Sequence, residues 1–232
     1  MYINYKKKKS SVLTVINLIN GFMRTPKIEA LHRMINWYNL NNKINLKPLR
    51  LDHSPILSNN WLAGYIDADG SFYLNWLLDK KGLPTSLQYY MRISQKQNYH
   101  KSNNLFNISY FNIMNKISTA LSVPLRYRNR IRKNNFKEES YEVRTANYIS
   151  NYTILSYLIQ YSLFSYKYKE VSVQLELLRL SKNKNYKRVD GLIRLENLKK
   201  ISKGNDFTTL NNNKEKFKNH YEHIANYFPF YN

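Results

Sequence analysis

The fold of this 232-residue chain is decided by one stretch of nine residues, Leu62-Ala63-Gly64-Tyr65-Ile66-Asp67-Ala68-Asp69-Gly70. Ser58 and Asn59 are residue types that cap helix N-termini, and glycine commonly follows a helix end, so a short helix is predicted over 60–67. Ala63 and Gly64 remove side-chain bulk from one side of this helix, which lets another backbone approach closely. The sequence therefore predicts a helix that packs through small residues.

Two carboxylates, Asp67 and Asp69, stand at the C-terminal end of this helix, where the helix dipole disfavours negative charge. A carboxylate held there needs a counter-ion, and a divalent cation is the natural one. The residues alone leave a second interpretation open, in which the acids belong to a simple turn. An EF-hand is excluded, because Gly70 is at the fourth rather than the sixth loop position and Leu78 replaces the bidentate glutamate.

Strands and helices alternate after this first helix. The predicted elements, in order, are strands at 71–78 and 87–94, a helix at 109–121, strands at 125–133 and 140–146, and helices at 152–161 and 166–181. The order is α-β-β-α-β-β-α, which predicts an α+β fold with an antiparallel sheet and helices on one face. Amphipathic helices are also predicted before this region, at 25–38, and after it, at 191–201 and 215–227.

The charge of the chain indicates its class of partner. Lys and Arg number 37 against 15 Asp and Glu, a net charge of +22, while 43% of the residues are hydrophobic and support a folded core. Such an excess favours a polyanion, either nucleic acid or an anionic membrane. The longest mostly apolar stretch, 12–19, is far short of a membrane span. The absence of cysteine excludes disulfides, thiolate zinc sites and cysteine nucleophiles.

Alternating arginines predict the surface that binds nucleic acid. Arg126, Arg128, Arg130 and Arg132 alternate with other residues, so a strand places all four on one face, where they repel one another unless an anion compensates them. A charged edge strand that discourages aggregation is the alternative. Further residues fall on the same predicted sheet face, namely Tyr73, Asn75, Arg92, Ser94 and Arg144. We predict that this face binds double-stranded DNA.

The nonapeptide at 62–70 closely resembles the signature of the LAGLIDADG homing endonucleases and intron maturases, from which it differs only by Tyr65 in place of leucine. The residues on either side, at 51–61 and 71–73, are also similar to that family. The resemblance extends over roughly 55–182. It implies a LAGLIDADG half-domain, with a saddle-like antiparallel sheet of four strands and helices on one face.

The resemblance also implies how two halves make one enzyme. In that family the motif helices of two related halves pack against each other, which places Ala63 and Gly64 in the interface. One carboxylate from each half then lies beside a scissile phosphate at the DNA minor groove. The implied reaction is the metal-dependent, site-specific cleavage of DNA in intron homing.

Roles for individual residues follow from the same resemblance. Asp69, at the eighth motif position, is expected to bind Mg²⁺ or another hard divalent cation, and the carbonyl of Ala68 shares the ion. Asp67 is expected to have a structural role.

Two further catalytic residues are implied, and the residues themselves leave alternatives open. Gln95, within Ser94-Gln95-Lys96, is expected to orient the water or the metal, and a solvated strand end is the alternative. Lys167 is expected to be the cation beside the scissile phosphate. Because Lys169 is close by, Lys167 is also a candidate for one surface lysine among many.

Only one motif is present, and the early sequence resembles the end of a first half in double-motif members. An internal repeat supports this interpretation: Leu18-Ile19 precedes Lys27 as Leu158-Ile159 precedes Lys167. The chain is therefore predicted to pair with a second LAGLIDADG half, either as a homodimer or with a missing N-terminal half. The predicted organisation is a remnant of a preceding half with a linker at 1–57, the endonuclease domain at 58–182 and a basic helical extension at 183–232.

Two other functions remain open at this stage. A non-catalytic maturase that binds intron RNA is the main alternative, because a basic surface serves RNA as well as DNA. An architectural DNA binder without metal dependence is the other. His220 and His223 have a spacing that suits a metal but lack acidic or cysteine companions, so they are interpreted as surface residues. The abundance of residues with A/T-rich codons predicts an organellar gene and a mitochondrial location.

Overall fold

The structure, a computed structural model, describes residues 2–99, 108–131, 135 and 137–203. Its elements follow in the order α1 (Tyr2–Ile19), α2 (Ile28–Asn42), α3 (Trp61–Asp69), β1 (Gly70–Leu78), β2 (Pro84–Lys96), α4 (Phe111–Ala120), β3 (Arg126–Ile131), β4 (Lys137–Arg144), α5 (Tyr148–Gln160), α6 (Tyr168–Lys182) and α7 (Val189–Lys203). The predicted order α-β-β-α-β-β-α is confirmed from α3 to α6. The predicted helix at 215–227, with His220 and His223, lies outside the described residues.

Two helices differ from the sequence prediction, one in where it begins and one in being absent from the prediction. Helix α5 begins at Tyr148, before the predicted residue 152, because Asn147 and Ser150 form a capping box in which each side chain bonds the other's backbone amide. Helix α1 was not predicted, although Ile16 is fully buried and Val12 and Ile19 pack beside the same cluster at helical spacing. No described helix combines the length and the apolar character needed to cross a membrane.

The sheet has four strands in the order β1-β2-β4-β3. Strands β1 and β2 are antiparallel, with Tyr73 opposite Tyr90. The turn between them is fixed by the Asp79 carboxylate, which accepts hydrogen bonds from two backbone amides of the turn at 2.8 and 2.9 Å. Gly82 closes the turn at a φ of +77°, where glycine has no steric cost.

The chain divides into two compact units that do not coincide with blocks of sequence. Unit 1 consists of Met1–Pro55, Gln95–Lys116 and Tyr127–Tyr141, and unit 2 of Ile56–Ser94, Ile117–Arg126 and Glu142–Asn232. The domain limits at 57 and 182 stay a prediction.

Unit 1 contains the hairpin of α1 and α2. Its buried cluster is formed by Ile16, Leu31, Ile35 and Tyr38. The three α2 residues recur at spacings of four and three, so they share one face of that helix. Burial of this face is what orders the N-terminal part of the chain.

A buried ion pair fixes the connector that follows α2. Arg24 is only 5% exposed, and its Nη2 lies 2.7 Å from Oδ2 of Asp52, while Nη1 donates to the Ser54 carbonyl at 2.8 Å. Burial raises the pKa of Asp52, but hydrogen bonds from Ser54 and the Arg24 charge outweigh this effect, so the net pKa lies below its ordinary value. The pair's stabilisation is therefore present above about pH 4 and lost as the pH falls through the lowered pKa.

Unit 2 packs its helices on one side of β1 and β2. Val173, Leu177 and Leu180 of α6 cluster with Leu195 of α7, and residues of both strands pack against them. The Lys199 ammonium of α7 lies 4.6 Å from the centre of the Trp76 ring, a cation–π contact. The part of the basic extension up to α7 is thus folded onto unit 2.

One tyrosine attaches the first turn of α3 to α5. The Tyr157 hydroxyl donates to the Asn59 carbonyl at 2.7 Å and accepts from the Ala63 amide at 3.0 Å. Helix α3 also begins with a bond from the Trp61 amide to the Asn59 side chain at 3.0 Å. Because Tyr157 and Ala63 are buried, water cannot replace this hydroxyl.

We expect Tyr157→Phe to lower the free energy of unfolding by about 1–3 kcal/mol, because it leaves a buried amide without an acceptor. Urea denaturation followed by circular dichroism measures the change. Tyr166→Phe is the matched control, since Tyr166 is 67% exposed and its loss of a hydroxyl should cost less than about 0.5 kcal/mol. Equal stability of the two variants would contradict this role for Tyr157.

Candidate functional site

The candidate site lies at the C-terminal end of α3. Gly70 follows this end in an extended conformation, with φ −76° and ψ 154°. A Cβ atom at Gly70 would stand 2.6 Å from the Ile66 carbonyl oxygen and 2.7 Å from Ile66 Cγ2. Glycine is needed here for close approach, because it lets the chain turn directly from α3 into β1.

The Asp67 carboxylate binds the turn that leads into α6. It accepts hydrogen bonds from the Phe164 amide at 2.6 Å, the Ser165 amide at 3.2 Å and the Ser165 hydroxyl at 2.5 Å. These donors satisfy an acid that the α3 dipole disfavours. Asp67 therefore has the structural contacts that were expected of it.

Lys167, at the start of α6, makes the reciprocal contact with α3. Its Nζ donates to the backbone carbonyls of Asp67 at 2.6 Å and Ile66 at 3.2 Å, the last carbonyls of α3. A cation there offsets the negative end of the helix dipole. We call the reciprocal contacts of Asp67, Ser165 and Lys167 the α3–α6 clamp.

Asp69 is the second acid at this end of α3, and it takes no part in the α3–α6 clamp. Its side chain is exposed, and within the described residues its carboxylate has no hydrogen bond or ion pair. Ala68, also exposed, adds a backbone carbonyl next to it. The part of the chain that the structure describes holds no group of three His, Cys, Asp or Glu suited to a metal. One carboxylate and a carbonyl fit an open Mg²⁺ site, because Mg²⁺ commonly takes one or two carboxylates and fills its shell with water and phosphate.

Gln95 lies near the end of β2, half-buried, and belongs to unit 1. Asp69 and Lys167 belong to unit 2, where the structure brings them to the same end of α3. The catalytic role of Gln95 therefore stays a prediction.

The two small residues of α3 have different surroundings. Ala63 is 2% exposed and its amide is bound to Tyr157 within unit 2. Gly64 is exposed, and no atom lies within 4 Å of the point where its Cβ would stand. Trp61 and Tyr65 stack on the helix surface with ring centres 5.0 Å apart. Gly64 is thus the small residue that offers open space for another helix.

Unit 2 contributes a polar and aromatic face to the sheet. The antiparallel register sets Tyr73 opposite Tyr90, and their rings stack at 4.7 Å. The Arg144 guanidinium carbon lies 4.6 Å from the centre of the Tyr90 ring. Asn75, Arg92, Ser94 and Arg126 are the other predicted DNA-binding residues in this unit.

Arg92 is less available to DNA than its sequence position suggests. Its Nη1 lies 4.0 Å from Oε2 of Glu142, a buried acid on β4, and its Nε donates to the Ser71 hydroxyl at 3.4 Å. The strand alternation predicted the face of Arg92 but gave no sign of its acidic neighbour.

Two more of the predicted arginines, Arg128 and Arg130, lie on β3 in unit 1. Arg128 is half-buried and Arg130 is exposed. Tyr127, between Arg126 and Arg128, makes an edge-on contact with the Tyr141 ring at 5.4 Å. Arg132 lies outside the described residues.

The internal repeat predicted from sequence has a counterpart in the backbone. Helices α2, Ile28–Asn42, and α6, Tyr168–Lys182, have the same length and the same bounds at an offset of 140 residues. The residue before each is a lysine in the right-handed helical region, with φ −60° for Lys27 and −64° for Lys167. The preceding turns share a bond from the first helical amide back by three residues, at 3.0 and 3.1 Å.

Lys27 differs from Lys167 in its surroundings. It is exposed, and within the described residues its ammonium has no hydrogen bond or ion pair, whereas Lys167 binds two carbonyls of a motif helix. Leu18 is 67% exposed, whereas Leu158 at the equivalent place is fully buried. The turn and helix start around Lys167 are thus packed against other residues of unit 2, whereas the equivalent side chains in unit 1, Lys27 and Leu18, are exposed.

Sequence reasoning missed two residues that build the site. Tyr157 places the N-terminal turn of α3, and Ser165 joins Asp67 to the start of α6. A serine two residues before an expected catalytic lysine is a capping signal that was available. Nothing in the sequence near Tyr157 indicates its partner 94 residues away.

Comparisons with known proteins find similar sequences. The sequence profile of the family described as LAGLIDADG endonuclease matches residues 62–173. The chain is also 39% identical over 178 residues to the intron-encoded DNA endonuclease aI3 of Saccharomyces cerevisiae, a match that covers 68% of this chain and 43% of that protein. This chain thus spans less than half the length of that relative.

Two solved structures are similar at low identity. The homing endonuclease I-TnaI is 16% identical, with 78% of this chain and 99% of that chain covered and a TM-score of 0.45. The LAGLIDADG homing endonuclease I-LtrWI, bound to target DNA, is 18% identical, with 60% and 42% covered and a TM-score of 0.46. Together with its motif and its element order, the family match shows that this chain carries, over residues 62–173, a domain of the LAGLIDADG endonuclease family.

Proposed function

We propose that this chain is one half of a site-specific, metal-dependent DNA endonuclease that acts in intron homing. The observation that carries this proposal is the open carboxylate of Asp69, at the end of a helix whose other acid, Asp67, is engaged in the α3–α6 clamp. The family match over 62–173 and the name of the 39% identical relative support it. The maturase alternative is not favoured, because that relative is named a DNA endonuclease.

The chemistry divides between a metal and the chain's own groups. Asp69 and the Ala68 carbonyl would hold Mg²⁺ or a similar hard cation, which supplies a more acidic bound water and neutralises phosphate charge. An ammonium has three protons, and Lys167 uses two of them on the carbonyls of Ile66 and Asp67. The third is left to donate to a phosphate oxygen beside Asp69. Gln95 is proposed to orient the attacking water.

Double-stranded DNA is the proposed partner of the sheet face. This face offers planar and cationic groups, which suit base edges and phosphates. They belong to Tyr73, Asn75, Arg126, Arg128, Arg130 and Arg144. Arg92 is proposed to bind DNA as well, although its pairing with Glu142 reduces the charge it offers. The net charge of +22 strengthens attraction to the duplex and makes binding depend on salt.

A second half is the proposed protein partner. The repeat of α2 and α6 supports this proposal, because within the described residues the Lys27 ammonium has no helix carbonyl to bind, and Gly64 leaves the motif helix open on one side. Exposed apolar side chains on the α1–α2 hairpin, among them Leu18, Phe22 and Leu40, suit a covering partner. A second copy of this chain and a separate N-terminal half both supply a motif helix. We further propose a mitochondrial location, because the chain is rich in residues that A/T-rich codons encode.

Asp69→Asn is expected to lower cleavage at least ~100-fold while leaving DNA binding within about twofold, because it removes the metal-binding charge from an exposed side chain. The substrate is a duplex in which the two exons that flank the intron are joined, incubated with Mg²⁺. The control Asp190→Asn changes an acid in the first turn of α7 and should cleave like wild type. Undiminished cleavage by Asp69→Asn would refute the assignment.

Lys167→Met is expected to slow cleavage by about 10- to 100-fold, because it removes both the phosphate donor and one side of the α3–α6 clamp. Lys169→Met removes a neighbouring charge without touching α3 and should retain most activity. The rate constants are compared at saturating protein, so that weaker DNA binding does not enter. Equal losses in the two variants would mean that only general surface charge matters.

Gly64→Leu is expected to keep the fold and weaken pairing of halves about tenfold or more, because the added side chain fills space that a second helix needs. Sedimentation equilibrium measures self-association, and titration with a separately expressed first half measures pairing with that half. Glu196→Leu, on the exposed side of α7, is the matched control. A wild-type monomer that cuts both strands unaided would overturn the half-enzyme proposal.

A further inference from the structure

Beside the sheet face, unit 2 contains a pocket that the proposed cleavage reaction does not use. Its volume is about 450 Å³, within the range of small-molecule sites. It is lined by the end of β4, the start of α5 and the first half of the neighbouring strand β2. Its described lining includes one cation, Arg144, and no acid.

Arg144 carries a hydrogen-bond donor in this pocket that has no acceptor. Its guanidinium stacks on the Tyr90 ring at 4.6 Å, and its Nε is buried without a hydrogen bond. Within the described residues, the guanidinium also makes no ion pair. A buried donor without an acceptor is unfavourable, so an acceptor that enters the pocket and bonds this Nε strengthens binding.

Aromatic rings supply the rest of the lining. Tyr89, Tyr90 and Tyr148 all border the pocket, and Tyr90 continues the stack that begins at Tyr73 on the sheet face. Burial raises the pKa of the Tyr89 hydroxyl, which stays protonated as a donor. Gln88, exposed at the rim, adds an amide that both donates and accepts. Flat rings, a planar cation and amides together suit a nucleobase and its phosphate.

We propose that this pocket binds one unstacked nucleotide, with its base against Tyr148 and an acceptor oxygen on Arg144. The pocket opens beside the predicted DNA-binding face, so the nucleotide comes from the bound DNA strand. This source rests on the proposed function, whereas the pocket's affinity for a nucleotide does not. The pocket thereby adds a contact for a base that has left the duplex stack.

The first experiment titrates the full chain with dAMP, dGMP, dCMP and TMP by isothermal calorimetry. Saturable binding of at least one nucleotide is expected, with at least tenfold weaker binding in Tyr148→Ala and in Arg144→Gln. Arg144→Lys keeps the charge but loses the planar stack and should also bind more weakly. Tyr127→Ala and Arg188→Gln lie outside the pocket and should match wild type.

Gln88→Ala keeps the result interpretable if Tyr148→Ala fails to fold, because Gln88 is exposed on a strand; it should weaken binding by about threefold. Inorganic phosphate and the free nucleosides are titrated in parallel. Phosphate binding as tightly as a nucleotide would show a simple anion site and overturn the proposal. So would the absence of nucleotide binding, or binding unchanged by the pocket variants.

The second experiment places 2-aminopurine at each position of a duplex target in turn. One position is expected to fluoresce more strongly on binding, and Tyr148→Ala should abolish this increase while duplex affinity remains. If nucleotides bind but no position responds, the DNA source is wrong. Failure of cleavage in Asp69→Asn tests the proposed function separately, since Asp69 does not line the pocket.

Discussion

The α3–α6 clamp is the interaction on which the candidate site depends. A short helix of nine residues has little stability of its own, and two acids at its C-terminal end oppose its dipole. The Asp67 carboxylate and the Lys167 ammonium each bind the other element's backbone, so one pair of charges holds both the end of α3 and the start of α6. The exposed Asp69 can then be placed by rigid neighbours without contacts of its own.

On the sheet, too, some side chains hold their neighbours in place while others are available to a ligand. Glu142 is buried beside Arg92, and the Tyr73–Tyr90–Arg144 stack orders long side chains before any ligand arrives. Ordering side chains in advance lowers the entropy that binding must cost. A basic surface built in this way combines general attraction to a polyanion with fixed groups at chosen places.

Much of the fold could be predicted from sequence, because local signals are strong where one face is buried. The alternation along β2 and the helical spacing in α2 and α4 indicated the element order, and the nonapeptide located the open acid, Asp69. Contacts distant in sequence could not be predicted: Tyr157 reaches Ala63, and Glu142 reaches Arg92, without a local pattern. Helix α1 was missed because four consecutive lysines obscure an otherwise helical stripe. The open environment of Gly64 could only be seen with neighbours in place.

The matching bounds of α2 and α6 also bear on how new specificities arise. Each unit contains one of these helices, entered by the same turn and of the same length, although the backbone leaves α2 through the left-handed Lys43 and α6 through the right-handed Asn183. The buried Arg24–Asp52 pair binds the connector to the first of these units, so an exchange point after Pro55 preserves that pair. If the segments on either side of Pro55 each read one part of a target, recombination between relatives at that point multiplies the available recognition sequences.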